Sequence, residues 1–121
     1  MGENEDKDEF IVHVIQLLNP LDDALNKIIL TKSVRTIYFA LADSRERLIQ
    51  FLSKKKVNEL VPVLLQMNVW LNRLTRIEQD KKIEFNNVKS IIPQVLKWRK
   101  IVRNVLIDLT NEEKKLNKME S

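Results

Sequence analysis

The chain has 121 residues, 44% hydrophobic and 31% charged, with a formal net charge of +4, one glycine, three prolines and no cysteine. That length suits one domain with a core of its own. So little glycine argues against hairpin turns, Rossmann crossovers and phosphate-cradling loops, which need positive φ, and the lack of cysteine excludes disulfides, thiolate zinc sites and cysteine nucleophiles.

The class that remains is all-α, a compact bundle of five to six helices. No apolar run approaches the ~20 residues that span a bilayer, and the acidic start is the opposite of a signal peptide. Gly2 is followed by Asp6 where a myristoylation signal carries Ser or Thr. The expectation is a soluble intracellular protein, cytoplasmic or nuclear, with no membrane and no cofactor. Its charge is uneven: the first ten residues hold five acids and one lysine, which leaves the remainder at +8. A basic body with an acidic arm suits nucleic acid, an acidic partner, or simple solubility.

Residues 1–8 are polar and acidic, and are expected as a flexible tail ahead of a helical domain over 9–110. Phe10, Ile11, Val14, Ile15 and Leu18 have helical spacing. Asn19-Pro20 predicts a stop, because the residue before a proline is pushed out of the helical region. The same pair predicts a new start, with Asn19 as N-cap, Pro20 in the first turn, and Asp22 and Asp23 facing the positive dipole end. Leu21, Leu25, Ile28 and Ile29 give that second helix its stripe, and two short helices should meet at a sharp corner.

Thr31-Lys32-Ser33 is the next punctuation. Val34, Ile37, Leu41, Leu48 and Leu52 then follow a helical stripe, with Tyr38, Phe39 and Phe51 beside it. This segment is either one helix or two; Asp43 with Glu46 forms a variant of the capping box, and a break there is favoured. Lys54-Lys55-Lys56 suits a C-terminus. Asn58 is expected to cap a helix to about Arg76, carrying Leu60, Val61, Leu64, Leu65, Met67, Leu71 and Leu74. Residues 77–87 are a connection whose Ile83 and Phe85 should fold onto the core.

Residues 88–109 read as the longest helix. At about 100° per residue, Ile91, Val95, Trp98, Val102, Val105 and Leu109 share one face, with Lys89, Lys97, Lys100 and Arg103 on the far side. Thr110-Asn111-Glu112-Glu113 is a capping box that should open a short terminal helix or tail over 111–121. Residues 58–74 and 89–105 align without gaps at an offset of 31, each with a proline near its start. The bundle therefore has a candidate repeat-like antiparallel helix pair, 58–76 with 88–109.

Enzyme chemistry finds little to work with. His13 is the single histidine, four residues after Glu9. A solvated pair is the common outcome of that spacing, and no second histidine completes a di-metal helix motif. No catalytic, cofactor-binding or metal-ligating residue is assigned. The stronger signals are surfaces. One basic cluster comprises Arg45, Arg47, Lys54, Lys55 and Lys56, and another Lys89, Lys97, Lys100 and Arg103; together they would meet phosphates. Trp70 lies off the Leu64, Leu71 and Leu74 stripe, and Ile92, Leu96, Ile101 and Ile107 fall outside the main face of their helix. A small domain rarely leaves so many aliphatics to solvent. Trp70, Ile101 and Ile107 are accordingly the candidate partner-binding residues.

Val95-Leu96-Lys97-Trp98-Arg99-Lys100-Ile101-Val102 resembles the end of the N-terminal helical domain of transcription elongation factor TFIIS and its relatives, where a Leu-rich helix closes on a Trp-Lys pair. The likeness covers about ten residues. Upstream, residues 77–87 are longer than that pattern and a glycine-bearing segment is missing. What the resemblance implies is a nuclear adaptor. The functional expectation is a non-enzymatic protein–protein interaction module (adaptor, scaffold or regulator) whose partner is another protein or a second copy. The alternative is a nucleic-acid-binding protein using clusters 45–56 and 89–103.

Overall fold

A computed structural model describes residues 3–79 and 84–120, with side-chain surroundings for 9–76 and 84–118. The described residues form α1 (Glu3–Leu30), α2 (Val34–Lys54), α3 (Val61–Gln79), the single-turn α4 (Phe85–Val88) and α5 (Ile91–Glu120). A 3-10 turn, Asn58–Leu60, leads into α3. They include no strand, and the fold is the expected all-α bundle.

The corner expected at Asn19-Pro20 does not exist. α1 passes through Pro20 as one helix. Ile11, Val14, Leu18, Leu21, Leu25 and Ile28 are all buried, and the i, i+3, i+4 rhythm keeps its phase across the proline. Proline there removes one backbone donor and crowds the carbonyl four residues back. That carbonyl belongs to Gln16, an exposed position that water reaches. A new helix direction would carry either Leu18 or Leu21 out of the core. Burial of both outweighs the local stop signal.

Two further stop signals are overridden. α2 runs through Asp43, which accepts from Arg47 Nε at 3.1 Å in an i, i+4 pair. Next to it, the buried Ser44 donates to the Ala40 carbonyl at 2.7 Å, the bond a hydroxyl makes inside a helix. α5 runs through Thr110, whose hydroxyl donates to the Leu106 carbonyl at 2.7 Å instead of capping a new helix. Residues 111–120 thus extend α5, and residues 3–8 extend α1. The real punctuation is Ser33, whose side chain accepts from Thr36 N at 3.2 Å and opens α2. Pro62 and Pro93 both lie in first turns, where no intrahelical donor is lost.

α1 is the hub. It packs along both α2 and α5, while α2 packs along α3. Arg103 and Arg99 of α5 reach Asp22 and Asn26 of α1 in reverse order along the two helices, so α1 and α5 are antiparallel. α3 meets α5 through Trp98, whose indole N–H donates to the Gln66 side-chain oxygen. Trp98 and Phe51 are the largest side chains in the core. The six residues expected on the inner face of α5 are all buried, and Phe85 packs half-buried against the cluster. Ile83 lies outside the described residues.

If α1 is continuous, Pro20→Ala should raise stability by up to ~3 kcal/mol, the helix-interior difference between the two residues, at unchanged m-value in urea denaturation. A corner at this position would instead lose stability on the same substitution.

Candidate functional site

α3 is a helix with two apolar faces. The inner one is Leu60, Val63, Met67 and Leu74, all buried. Trp70 continues that spacing and packs half-buried against the core, with the Arg73 guanidinium 4.8 Å from its ring centroid. This corrects the expectation that Trp70 is the off-stripe residue: taking the phase from Leu64 and Leu71 placed the inner face one step too far round. Leu64 and Leu71 are flanks, and Val63, overlooked in that stripe, is fully buried.

The residues left outside are Val61, Leu65 and Val69, at 38%, 60% and 62% exposure. Their i, i+4, i+8 spacing puts them in one line along just over two turns. Pro62 is exposed beside them, and Arg73 and Arg76 are exposed at the C-terminal end of the same helix. No acid occurs in the sequence from Val61 to Arg76. The outer face of α3 is therefore an aliphatic strip that grades into two cations. A sequence signal for it existed, since Leu65 and Val69 stand one turn apart off the 60/63/67/74 rhythm.

On α5 the aliphatics outside the main face separate. Ile92 and Ile101 are half-buried against the core, whereas Leu96 and Ile107 are more than half exposed. Ile101 and Ile107 do not share a surface. Ile101 lines a groove of about 520 Å³ between α5 and the segment that joins α2 to α3, with Val57, Val105 and Leu109. Ile107 stands with Leu96, Lys100 and Arg103 on the other side of Asn104.

The cations do not form one sheet of charge. Arg99 turns inward, its Nε 3.0 Å from Asp22 Oδ1 and its Nη1 3.0 Å from Asn26 Oδ1. Asp22 is thus an inter-helix ion-pair partner, not a helix-start residue, because α1 has no start there. Arg103 also reaches Asp22, at 3.5 Å, while staying largely exposed. Lys89, Lys97 and Lys100 are exposed. In the other cluster Arg47 pairs with Asp43, Arg45 is half-buried with an unpartnered Nε, and Lys54 and Lys56 are exposed. Lys55 shares the groove with Glu59, Asp108 and Glu112, so acids stand beside it.

One exposed aromatic does sit among cations. Phe39 has the Arg35 guanidinium 5.6 Å from its centroid, and Lys27 and Asp43 line the same hollow. It belongs to neither basic cluster. His13 and Glu9 are both exposed. Among the described residues, no three His, Asp or Glu side chains gather as metal ligands would, and no helix is long and apolar enough to cross a membrane.

No family model, curated protein or solved structure matches the chain. The likeness of residues 95–102 to the elongation-factor domain gains no support from them.

The inward turn of Arg99 is directly testable. Arg99→Met removes two hydrogen bonds to α1 and leaves Asp22 with Arg103 alone, so stability should fall by about 1–3 kcal/mol. The neighbouring exposed Lys100→Met should change it by less than ~0.5 kcal/mol. Equal effects from the two would mean that Arg99 is as solvated as Lys100.

Proposed function

We propose that the chain is a non-enzymatic protein–protein interaction module, and that the outer face of α3 is where it takes its partner. The observation that carries this reading is the line Val61, Leu65, Val69, exposed on a helix whose opposite face already supplies the core. Leu65 and Val69 leave most of their side-chain surface outside the core of the isolated chain. Hydrophobic side chains in line on a helix fit a second helix laid along it, read by anchors at i, i+3 or i+4. Arg73 and Arg76 at one end, with no acid between Val61 and Arg76, select the charge of that helix. The occupant is an amphipathic segment of another protein, with aliphatic anchors and Asp or Glu at the end facing the arginines.

The nucleic-acid reading draws on Lys97, Lys100 and Arg103 and on Phe39 beside Arg35. Backbone recognition favours an uninterrupted basic track with aromatics along it. Here Glu59, Asp108 and Glu112 stand beside Lys55, and other cations are partly spent on Asp22 and Asp43. We therefore place it second.

The test is selection of displayed peptides of about sixteen residues against the immobilised protein. Enriched sequences should pair aliphatics at i, i+4 with an excess of Asp and Glu, and should bind Leu65→Glu/Val69→Glu at least ~10-fold more weakly. Both positions are exposed, so the double variant should keep its melting temperature within a few degrees. Peptides that bind the variant equally well would overturn the α3 assignment. Salt-sensitive binding to a generic duplex, lost in Lys97→Glu/Lys100→Glu, would favour nucleic acid instead.

A further inference from the structure

The groove beside Ile101 has two walls. α5 supplies one as two adjacent rows at i, i+4 spacing: Ile101, Val105 and Leu109, and next to them Asn104, Asp108 and Glu112. The segment joining α2 to α3 supplies the other, through Lys55, Val57 and Glu59. Lys55 and Val57 have extended backbone, so their side chains fall on the same side. The floor is aliphatic, with Val105 and Leu109 buried and Val57 and Ile101 half-buried. The hollow measures about 520 Å³, a size that ligand sites have.

The fold does not account for the charge of this groove. Asp108 and Glu112 stand one turn apart, a like-charge spacing that disfavours a helix. They also lie in the second half of α5, away from the N-terminal end whose dipole favours carboxylates. Glu59, at the start of α3, has that dipole to explain it; the other two have nothing of the kind. All three are exposed, and among the described residues none of them forms an ion pair. Lys55 is the one cation in the lining.

We infer that this groove binds a segment of another protein in which aliphatic side chains are flanked by Lys or Arg. The aliphatic side chains enter over Val57, Ile101, Val105 and Leu109, and the cations meet Asp108 and Glu112 on one rim and Glu59 on the other. Three acids against one cation turn away nucleic acid and anionic lipid, whose phosphates carry the wrong sign. A ligand with a single amine meets one carboxylate at a time, whereas several cations on one chain meet all three. The ion pairs form at an exposed rim, so the contact is weak and salt-sensitive. The inference is independent of the α3 reading, since Leu65 and Val69 do not line the groove and the ligand has the opposite charge. Among displayed peptides its ligands form a separate basic class, and their indifference to α3 substitutions does not bear on the acidic class.

The test is NMR titration of the full chain with the peptide Gly-Ser-Lys-Lys-Leu-Leu-Lys-Lys-Ser-Gly at ~50 mM salt. Methyl signals of Val57, Ile101, Val105 and Leu109 should shift, while those of Leu65, Val69 and Leu96 stay in place. Raising the salt to ~500 mM should weaken binding about fivefold or more. Serine in place of both peptide leucines should weaken it about tenfold or more, and glutamate in place of the lysines should abolish it. Asp108→Asn/Glu112→Gln keeps the shape of the rim and removes two charges, so affinity should fall about fivefold or more, with circular dichroism and melting temperature as in the wild type. Groove methyls unmoved at ~5 mM peptide, shifts centred elsewhere, a glutamate peptide that binds as well, or a double variant that binds as the wild type does would each overturn the inference. n-Hexylamine, with one tail and one charge, should bind about tenfold more weakly than the peptide or worse; equal binding would make the groove a site for small amines and overturn it. Sedimentation of the free protein addresses a second copy as occupant. A monomer at the titration concentration agrees with the inference, and self-association lost in Asp108→Asn/Glu112→Gln would give the groove to another molecule of this chain and overturn it.

Discussion

The structure depends on one stripe of side chains holding its phase for the length of α1. Ile11, Val14, Leu18, Leu21, Leu25 and Ile28 form a buried seam through a proline that would by itself end a helix. Every buried Leu or Ile in it contributes about 1.5–3 kcal/mol relative to exposure, against about 3 kcal/mol for proline in a helix interior. Two such residues on either side decide the matter. Because α1 stays straight enough to be lined by α2 along one flank and α5 along another, the remaining helices inherit their places from it.

That arrangement also decides which surfaces are left over. Asp22 and Asn26 on α1 fix the rotation of α5 by taking Arg99. With Arg99 turned inward, the outer face of α5 divides at Asn104 into a basic, aliphatic side and an acidic, grooved side. α3 packs along α2 and reaches α5 by the Trp98–Gln66 bond, so its inner face is satisfied and its outer face is not. Helices at the edge of a small bundle normally show solvent a polar face. The line of Val61, Leu65 and Val69 departs from that rule, which is why we assign it a partner.

Much of the fold was legible in the residues. The six inward positions of α5 follow from periodicity alone, and the scarcity of glycine and cysteine leaves little but helices. The misreadings share a cause. Asp43 and Thr110 are local start signals worth about 1 kcal/mol each, Asn19-Pro20 is a stop signal worth about 3 kcal/mol, and each lies within an apolar rhythm that does not reset. Long-range burial won at all three. The surfaces were harder to read because rotation about a helix axis is set by its neighbours. Trp70 looked peripheral until α2 and α5 placed Met67 and Leu74 inward, and Ile101 and Ile107 looked like one patch until the segment joining α2 to α3 came to lie beside Ile101. Which cations turn inward was not readable at all, since Arg99 and Lys100 are neighbours in sequence and only tertiary structure brings Asp22 to one of them.

The central functional claim is that the exposed line of α3 receives an acidic amphipathic helix. Methyl resonances followed by NMR during titration with such a peptide test it most directly. Shifts should concentrate at Val61, Leu65 and Val69, with a smaller response from the Trp70 indole beneath Arg73 and none from Leu96 or Ile107. Shifts centred on Leu96 and Ile107 of α5, or a peptide that perturbs no α3 methyl at saturating concentration, would contradict the account.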